Sequence, residues 1–332
     1  MSCSIDIKGI GTYYPENQVD NQYYLDYFKD FGVEVDDLLK RCGRNIRHIS
    51  NNRNENSLTM AAEACSDALK KTGLSAEELD LIIFSSATPE FLAPSNAIIL
   101  HNKLGCKSSA IAYDMNANCV GMITAIEQTS RYMMANPGVK YAMIVGSEQM
   151  NHFSQEKDAY TKTNFADAAC AVILEKSEIE GSGFDDAVYY VNSSRFETMK
   201  FPECGMSNIY GKDFSEQEKR ILWTGGYPKS GFELTTKLIE AVLKKCNRKK
   251  TDIKKYFISQ VCRESIVLVA AAMEEDLNKF EYIGDRYGYT GTSSPLIALN
   301  QAIENGKLNR GDDIVFWSVG TGYISCALLW KY

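Results

Sequence analysis

Cys119 is the residue of this sequence whose type and position most directly suggest chemistry. It lies in DMNANCVGMITAIEQ, between a polar turn at 116–118 and a run with apolar residues at helical spacing. A cysteine at that position faces the amides and the positive end of the helix macrodipole, which favour a thiolate and can also stabilise an oxyanion. The alternative is a buried packing cysteine, a common use of the residue. This stretch alone leaves both interpretations open.

The segments around Cys119 predict alternating strands and helices. Near-continuous apolar runs, typical of buried strands, occur on both sides of its helix, and the second half repeats strand–turn–helix units in comparable order. Buried strands between helices predict an α/β fold whose sheets are covered on both faces. We therefore predict two similar halves packed as one unit, residues 1–175 and 176–332. The strand patterns nearest Cys119 are AIAYDM, KYAMIVGSEQM and AACAVILEK.

Composition excludes several classes of protein. The 332 residues carry a formal net charge of -7, whereas a nucleic-acid binder is normally basic. No apolar run approaches the ~20 residues of a membrane span, and MSCSIDIKGIG does not read as a signal peptide. The chain has ten cysteines, which we expect to be reduced thiols and not a disulfide framework. It has no C-x-x-C pair and only three histidines, so a zinc site is not expected. We expect a cytoplasmic protein with no metal.

Taken together, the motifs of both halves resemble the ketoacyl-acyl-carrier-protein synthase III group of the thiolase fold. The resemblance implies a five-layered α-β-α-β-α sandwich of two duplicated halves, usually a homodimer, whose nucleophilic cysteine heads a buried helix. Cys119 falls at that position. It also implies an acyltransferase that uses a CoA or acyl-carrier-protein thioester as substrate and binds no permanent cofactor. The motifs are, in order, IKGIGTYYPENQVDN, SSATP, NANCVGM, VGSEQM, FADAACAVIL, SPLIALNQAIENGKLNRGD and GTGYISCALLW.

Two positions depart from the pattern of this family. Its members normally carry a histidine in an H-Q-A-N-type motif and an asparagine in a G-N-T-S-type loop. Here the first motif aligns with QVCR, which puts Gln260 in the position of the histidine. The second aligns with YGYTGTSS, which puts Tyr289 in the position of the asparagine. Glutamine cannot act as a general acid or base, although both residues can donate a hydrogen bond to a thioester oxygen. Losing an acid/base partner typically costs about 10²–10⁴ in rate, so we expect feasible acyl loading and impaired malonyl decarboxylation.

The oxyanion hole is expected to survive these replacements. Its donors would be the backbone N–H of Cys119 and one from the VGTG turn, where Thr321 stands in place of the usual glycine. A backbone donor does not depend on the side chain of its residue. The predicted site is therefore Cys119, Gln260, Tyr289 and Thr321.

Other candidates have simpler interpretations. Cys262 is read as a packing cysteine and Glu264 as a helix N-terminal charge, while His152, after VGSEQM, is a weaker candidate base. The basic run KKCNRKKTDIKK, Lys244 to Lys255, is either a solvated helix face or a docking face for an acidic acyl carrier protein. The long apolar strand KYAMIVGSEQM is expected at a sheet edge, paired with a symmetric copy or with a related subunit.

Two hypotheses of function follow. The first is an acyltransferase in specialised-metabolite or fatty-acid-related biosynthesis, in which Cys119 accepts an acyl group and passes it to an acceptor that needs little help from the enzyme. The second is a non-catalytic or auxiliary subunit of a heteromeric condensing complex. Retention of the NANCVGM motif favours the acyltransferase. Replacement of the histidine and the asparagine that the resemblance implies favours the auxiliary subunit. Ordinary initiation of fatty-acid synthesis ranks third among the possible functions. Hydroxymethylglutaryl-CoA synthase chemistry ranks lower still, because Ser85 stands where that enzyme has a catalytic glutamate.

Overall fold

The computed structural model describes residues 4–179, 181–225 and 231–332, and strands and helices alternate through these ranges. The strands are β1 (Ser4–Tyr13), β2 (Gln18–Asp20), β3 (Ile46–His48), β4 (Leu81–Ser85), β5 (Ile111–Met115), β6 (Tyr141–Gln149), β7 (Asp167–Ser177), β8 (Gly183–Arg195), β9 (Met199–Lys200), β10 (Leu222–Trp223), β11 (Ile253–Ile258), β12 (Asp313–Gly320) and β13 (Gly322–Lys331). The helices are α1 (Asn21–Lys29), α2 (Asp36–Cys42), α3 (Ser57–Thr72), α4 (Asn96–Leu104), α5 (Gly121–Ala135), α6 (Ala159–Asn164), α7 (Gly231–Lys245), α8 (Arg263–Ala272), α9 (Gly284–Tyr287) and α10 (Ser294–Glu304).

Two large sheets share one topology. The first has the strand order β1-β7-β6-β4-β5, and the second, read from its β8 edge, has the order β8-β13-β12-β11. In each sheet the first two pairings are antiparallel and the third is parallel. The chain passes from one sheet to the other between Ser177 and Gly183. The repeated order is that of a duplicated half.

Strand β4 illustrates why the sheets are covered on both faces. Leu81 and Ile83 point into a core that α5 and α10 fill between the two sheets. Ile82 and Phe84 point the other way, against α3 and α4. On the far side, α7 and α8 cover the outer face of the second sheet. The predicted five-layered α-β-α-β-α sandwich is confirmed.

The expected position of β6 at a sheet edge is wrong. β6 lies between β7 and β4, and all nine of its residues are buried. The apolar run at 141–145 reflects burial on both faces, and the strand is paired on both edges. The edge strands of this sheet are β1 and β5, and β5 exposes 42% of Ile111 and 41% of Tyr113. Within the described ranges, no helix is long and apolar enough to cross a membrane.

Candidate active site

Cys119 lies in a 3-10 turn, Asn118–Val120, that leads directly into α5. Close packing at the start of the helix requires Gly121, because a Cβ there would come within 2.3 Å of the Ser85 hydroxyl on β4. The carbonyl oxygen of Cys119 accepts a hydrogen bond from Ser318 Oγ at 2.7 Å. Ser318 belongs to β12, so the second sheet holds the turn that carries the cysteine.

Burial determines the ionisation of Cys119. The side chain is 5% exposed, and burial raises the pKa of its thiol to about 12. A hydrogen bond with the Tyr289 phenol and one from the backbone N–H of Cys119 itself lower this pKa, while the charge of nearby Glu148 raises it. Loss of hydration therefore outweighs the amides at the helix start, which by themselves favour a thiolate.

Glu148 is the buried carboxylate behind this site. Its side chain accepts hydrogen bonds from the backbone N–H groups of Ala87 and Thr88 and from the hydroxyls of Ser86 and Thr88, at 2.7–3.2 Å. Burial raises the pKa of Glu148, and these donors lower it. The carboxylate fixes the loop after β4 and does not line the pocket that Cys119 faces.

Tyr289 is placed beside Cys119, as the sequence predicted. It is 1% exposed, and its backbone pairs with the segment after α6, where its N–H donates to Asn164 O at 3.0 Å and its carbonyl accepts from Ala166 N at 2.9 Å. Burial raises the pKa of Tyr289 well above the ordinary value of a phenol. The residue therefore remains a neutral hydrogen-bond donor at physiological pH.

The turn between β12 and β13 brings Thr321 to the same pocket. Gly320 allows this approach, because a Cβ on it would lie 2.7 Å from the carbonyl oxygen of Ala117 in the cysteine loop. Cys119, Tyr289 and Thr321 thus line one pocket, together with apolar side chains that include Met199 and Trp223. Within the described residues, no histidine lines it.

Gln260 is not brought into this pocket. Its Nε2 donates to the carbonyl oxygens of Ile258 and Glu281 at 2.8 and 3.0 Å, and its Oε1 accepts from Ile283 N at 3.0 Å. All three bonds hold backbone, so the amide that was expected to reach a thioester oxygen is already used. The residue positions the segment after β11.

Sequence reasoning missed the two neighbours of Gln260. Ser259 Oγ lies 3.3 Å from the Tyr289 hydroxyl, and Val261 lines the pocket. Side chains of an extended segment alternate between faces, so Gln260 pointing away places its neighbours towards the site. The sequence shows this alternation, but contacts with the loop at 281–283 determine which side chains face the site.

The remaining candidates lie elsewhere. His152 lines a separate surface cleft with Lys162 and Arg220, and burial followed by these two cations lowers its pKa. Glu264 is in the first turn of α8, and Cys262 is the residue before that helix. Within the described residues, no group of three or more His, Cys, Asp or Glu is placed to hold a metal ion.

Three of the seven basic residues in the run 244–255 form ion pairs with acidic side chains. Lys245 contacts Asp186 at 2.8 Å, Arg248 contacts Asp313 at 2.9 Å, and Lys255 contacts Glu281 at 3.1 Å. These pairs leave fewer free cations than the sequence suggested. The docking face for an acyl carrier protein stays a prediction.

Comparison with known proteins identifies the same architecture and family. The family described as 3-oxoacyl-[acyl-carrier-protein (ACP)] synthase III matches residues 113–193, and its C-terminal counterpart matches residues 243–332. A beta-ketoacyl-[acyl-carrier-protein] synthase III of Clostridium perfringens is 32% identical over 98% of each chain. The protein of the same name from Fusobacterium nucleatum is 29% identical over 99% of each chain. The crystal structure of 3-oxoacyl-[acyl-carrier-protein] synthase III from Aquifex aeolicus matches with a TM-score of 0.87 and 26% identity, covering 99% of this chain and 100% of the other. The chain therefore belongs to the 3-oxoacyl-[acyl-carrier-protein] synthase III family.

Proposed function

We propose that this protein is a cytoplasmic acyltransferase in which Cys119 takes an acyl group from a CoA or acyl-carrier-protein thioester and passes it to an acceptor. The observation that carries the proposal is the placement of Cys119 at the start of α5, packed with Tyr289 inside a mostly apolar pocket. The acceptor would be an amine, an alcohol or an activated carbon. Such nucleophiles suit a pocket whose described lining offers no imidazole base.

In the loading step, Sγ of Cys119 loses its proton and attacks the thioester carbonyl carbon. The bond from that carbon to the donor sulfur then breaks, and the donor leaves as a thiol after taking up a proton. The phenol of Tyr289 donates to the developing thiolate, which lowers the cost of removing the proton. The backbone N–H of Cys119 and that of Thr321 are the proposed donors to the carbonyl oxygen as it gains negative charge.

The raised pKa of Cys119 supports a second candidate, an auxiliary subunit of a heteromeric condensing complex. At neutral pH a thiol with a pKa of about 12 is almost entirely protonated, and the described pocket lining includes no histidine to accept the proton. A partner that supplies a base would remove this obstacle. The first candidate does not need such a partner.

Intact-mass spectrometry distinguishes the acyltransferase from the auxiliary subunit. The protein is first incubated with a panel of acyl-CoA and acyl-carrier-protein thioesters. The acyltransferase proposal predicts one acyl adduct per chain and its loss in Cys119→Ala. Cys65→Ser is a matched control, since Cys65 is buried against α4 and does not line the pocket. A purified protein that gains no adduct with any donor, but gains one when a partner is added, would favour the auxiliary subunit.

A further inference from the structure

Arg195 brings a positive charge to the wall of the acyl pocket. It is the last residue of β8, and it pairs across the sheet with Gly322 of β13, the residue after Thr321. Its side chain is half-buried and lines the same pocket as Cys119. The strand register therefore places this arginine next to the turn that is proposed to stabilise the thioester oxygen.

The guanidinium of Arg195 has no acidic partner within the described residues. Its carbon atom lies 5.8 Å from the centre of the Tyr323 ring, and no hydrogen bond or ion pair joins it to another described side chain. The nearby carboxylate of Glu197 contacts Lys200 at 3.5 Å instead. No aspartate or glutamate belongs to the described lining of the pocket. A bound anion would supply the charge that this half-buried cation lacks.

Tyr323 supports Arg195 from the same wall. Its backbone φ is 64°, in the left-handed region that a residue with a side chain seldom adopts. Its ring lies edge-on to the ring of Tyr190, with 6.5 Å between the two centres. Arg195 and Tyr323 both line the pocket, so the ring and the cation form one continuous surface that faces the substrate.

The size of the pocket limits the acyl group. Its volume is about 80 Å³. That volume holds roughly three groups of the size of a water molecule, at ~30 Å³ each. A long acyl chain exceeds this space, whereas a carboxylate joined to the thioester by one or two carbons matches it. An arginine can bind such a carboxylate through two parallel N–H donors.

We propose that the acyl group taken up by Cys119 carries a carboxylate that pairs with Arg195, so that the preferred donor is the thioester of a short dicarboxylic acid such as malonate. This inference rests on the proposed acyl transfer and adds its substrate class. Sγ of Cys119 bonds to the carbonyl carbon of malonyl-CoA, the bond from that carbon to the CoA sulfur breaks, and the Cys119 proton leaves with the CoA thiol. The distal carboxylate is retained, and the product is a malonyl thioester on the enzyme.

Two donors of one shape test the role of the charge. An isovaleryl group has the shape of a malonyl group, with two methyl groups in place of the carboxylate oxygens. Intact mass against time should show malonyl-CoA loading Cys119 roughly 10- to 100-fold faster than isovaleryl-CoA, the range expected for a hydrogen bond to a charged group. Equal rates, or faster loading by isovaleryl-CoA, would overturn the proposal and leave the acyltransferase function standing.

Variants assign the preference to one arginine. Arg195→Gln should reduce the malonyl-to-isovaleryl ratio to near one, and Arg195→Lys should retain part of it because the charge remains. Arg286→Gln is the matched control, since Arg286 also lies over a tyrosine ring, 5.2 Å from the centre of Tyr287, and does not line the pocket. It should leave the ratio unchanged. A ratio that survives in Arg195→Gln would contradict the assignment.

Alkylation of Cys119 tests the charge independently of acyl transfer. 3-Bromopropionate and 3-bromopropionamide both lose bromide to the thiolate and differ in one charge, and the first gives a product with the sulfur-to-carboxylate spacing of a malonyl adduct. Peptide mapping should show an anionic-to-neutral rate ratio at Cys119 about tenfold above that of 2-mercaptoethanol, a neutral thiol. The excess should disappear in Arg195→Gln. A ratio equal to that of 2-mercaptoethanol in the unmodified protein would overturn the proposal, whereas the expected ratio without loading by any thioester would refute only the acyl transfer.

Discussion

Cys119 and Tyr289 form a buried hydrogen-bonded pair in which burial raises the pKa of both groups. Neither residue ionises readily near neutral pH, so the phenol can act only as a donor and the thiol reacts only through a small thiolate fraction. The position of the cysteine at a helix start is therefore not sufficient to activate it. Tyr289 is the side chain that most directly opposes the effect of burial, since its hydrogen bond is the largest contribution that lowers the pKa of Cys119.

Replacement of Tyr289 by phenylalanine should slow acyl loading. Removing the hydrogen bond raises the pKa of Cys119 further, and a bond to a charged group is worth enough to lower the loading rate by roughly 10- to 100-fold. The rate is measured by intact mass against time at one donor concentration. Tyr256→Phe is the matched control, because Tyr256 is a buried tyrosine on β11 that does not line the pocket. Equal rates in Tyr289→Phe and the unmodified protein would show that the phenol has no part in loading.

The pH dependence of loading follows from the raised pKa of Cys119. Because that pKa is about 12, the reactive thiolate is a minor species at neutral pH. Its fraction, and with it the loading rate, should rise about tenfold per pH unit from about pH 7 to pH 9. A rate that reaches a plateau near pH 8 would instead indicate a thiol with an ordinary pKa.

At the scale of elements, the strand–turn–helix pattern predicted that Cys119 stands at the start of a helix, and the resemblance to the synthase III group implied that Tyr289 and Thr321 belong to the same site. The orientation of Gln260 was not predictable, because it depends on hydrogen bonds to Glu281 and Ile283, a distant segment. The raised pKa of Cys119 was not predictable either, since the sequence shows the helix start but not the extent of burial. Similarly, the apolar residues of β6 predicted that the strand is buried, but not which strands lie beside it in the sheet.

Malonyl decarboxylation should be impaired, because the described lining of the pocket includes no histidine. Without an acid/base partner, the rate with a malonyl thioester should fall about 10²–10⁴ below that of a family member that has the histidine, assayed in parallel. Gln260→His should not restore it, because that side chain points away from the pocket into backbone contacts. Release of carbon dioxide from labelled malonyl thioester measures both rates. Decarboxylation at the rate of the comparison enzyme would show that another group replaces the histidine.

At the scale of the whole molecule, β5 leaves one edge of the first sheet unpaired. The exposed side chains of Ile111 and Tyr113 on this edge, with Phe91, Leu92 and Ile98 on preceding segments, are apolar groups on the surface of the single chain. An exposed strand edge favours pairing with another chain. A symmetric copy would pair β5 with β5 and close both edges through one isologous contact.

Light scattering should therefore find a homodimer at micromolar concentration. Ile111→Lys combined with Tyr113→Lys should shift the protein towards monomer, because charged side chains on an edge strand oppose pairing. Tyr210→Lys changes an exposed aromatic residue far from β5 in sequence and should leave the dimer intact. A stable monomer for the unmodified protein would refute the proposed interface.

The central claim is that Cys119, and not another cysteine such as Cys262, carries the acyl group. Peptide mapping of the protein after reaction with an acyl-CoA or acyl-carrier-protein thioester distinguishes the two. We predict that the added mass lies on the peptide containing Cys119, because among the cysteines that the structure describes only this one lines the pocket with Tyr289 and Thr321. An adduct on Cys262 that persists in Cys119→Ala would contradict the account.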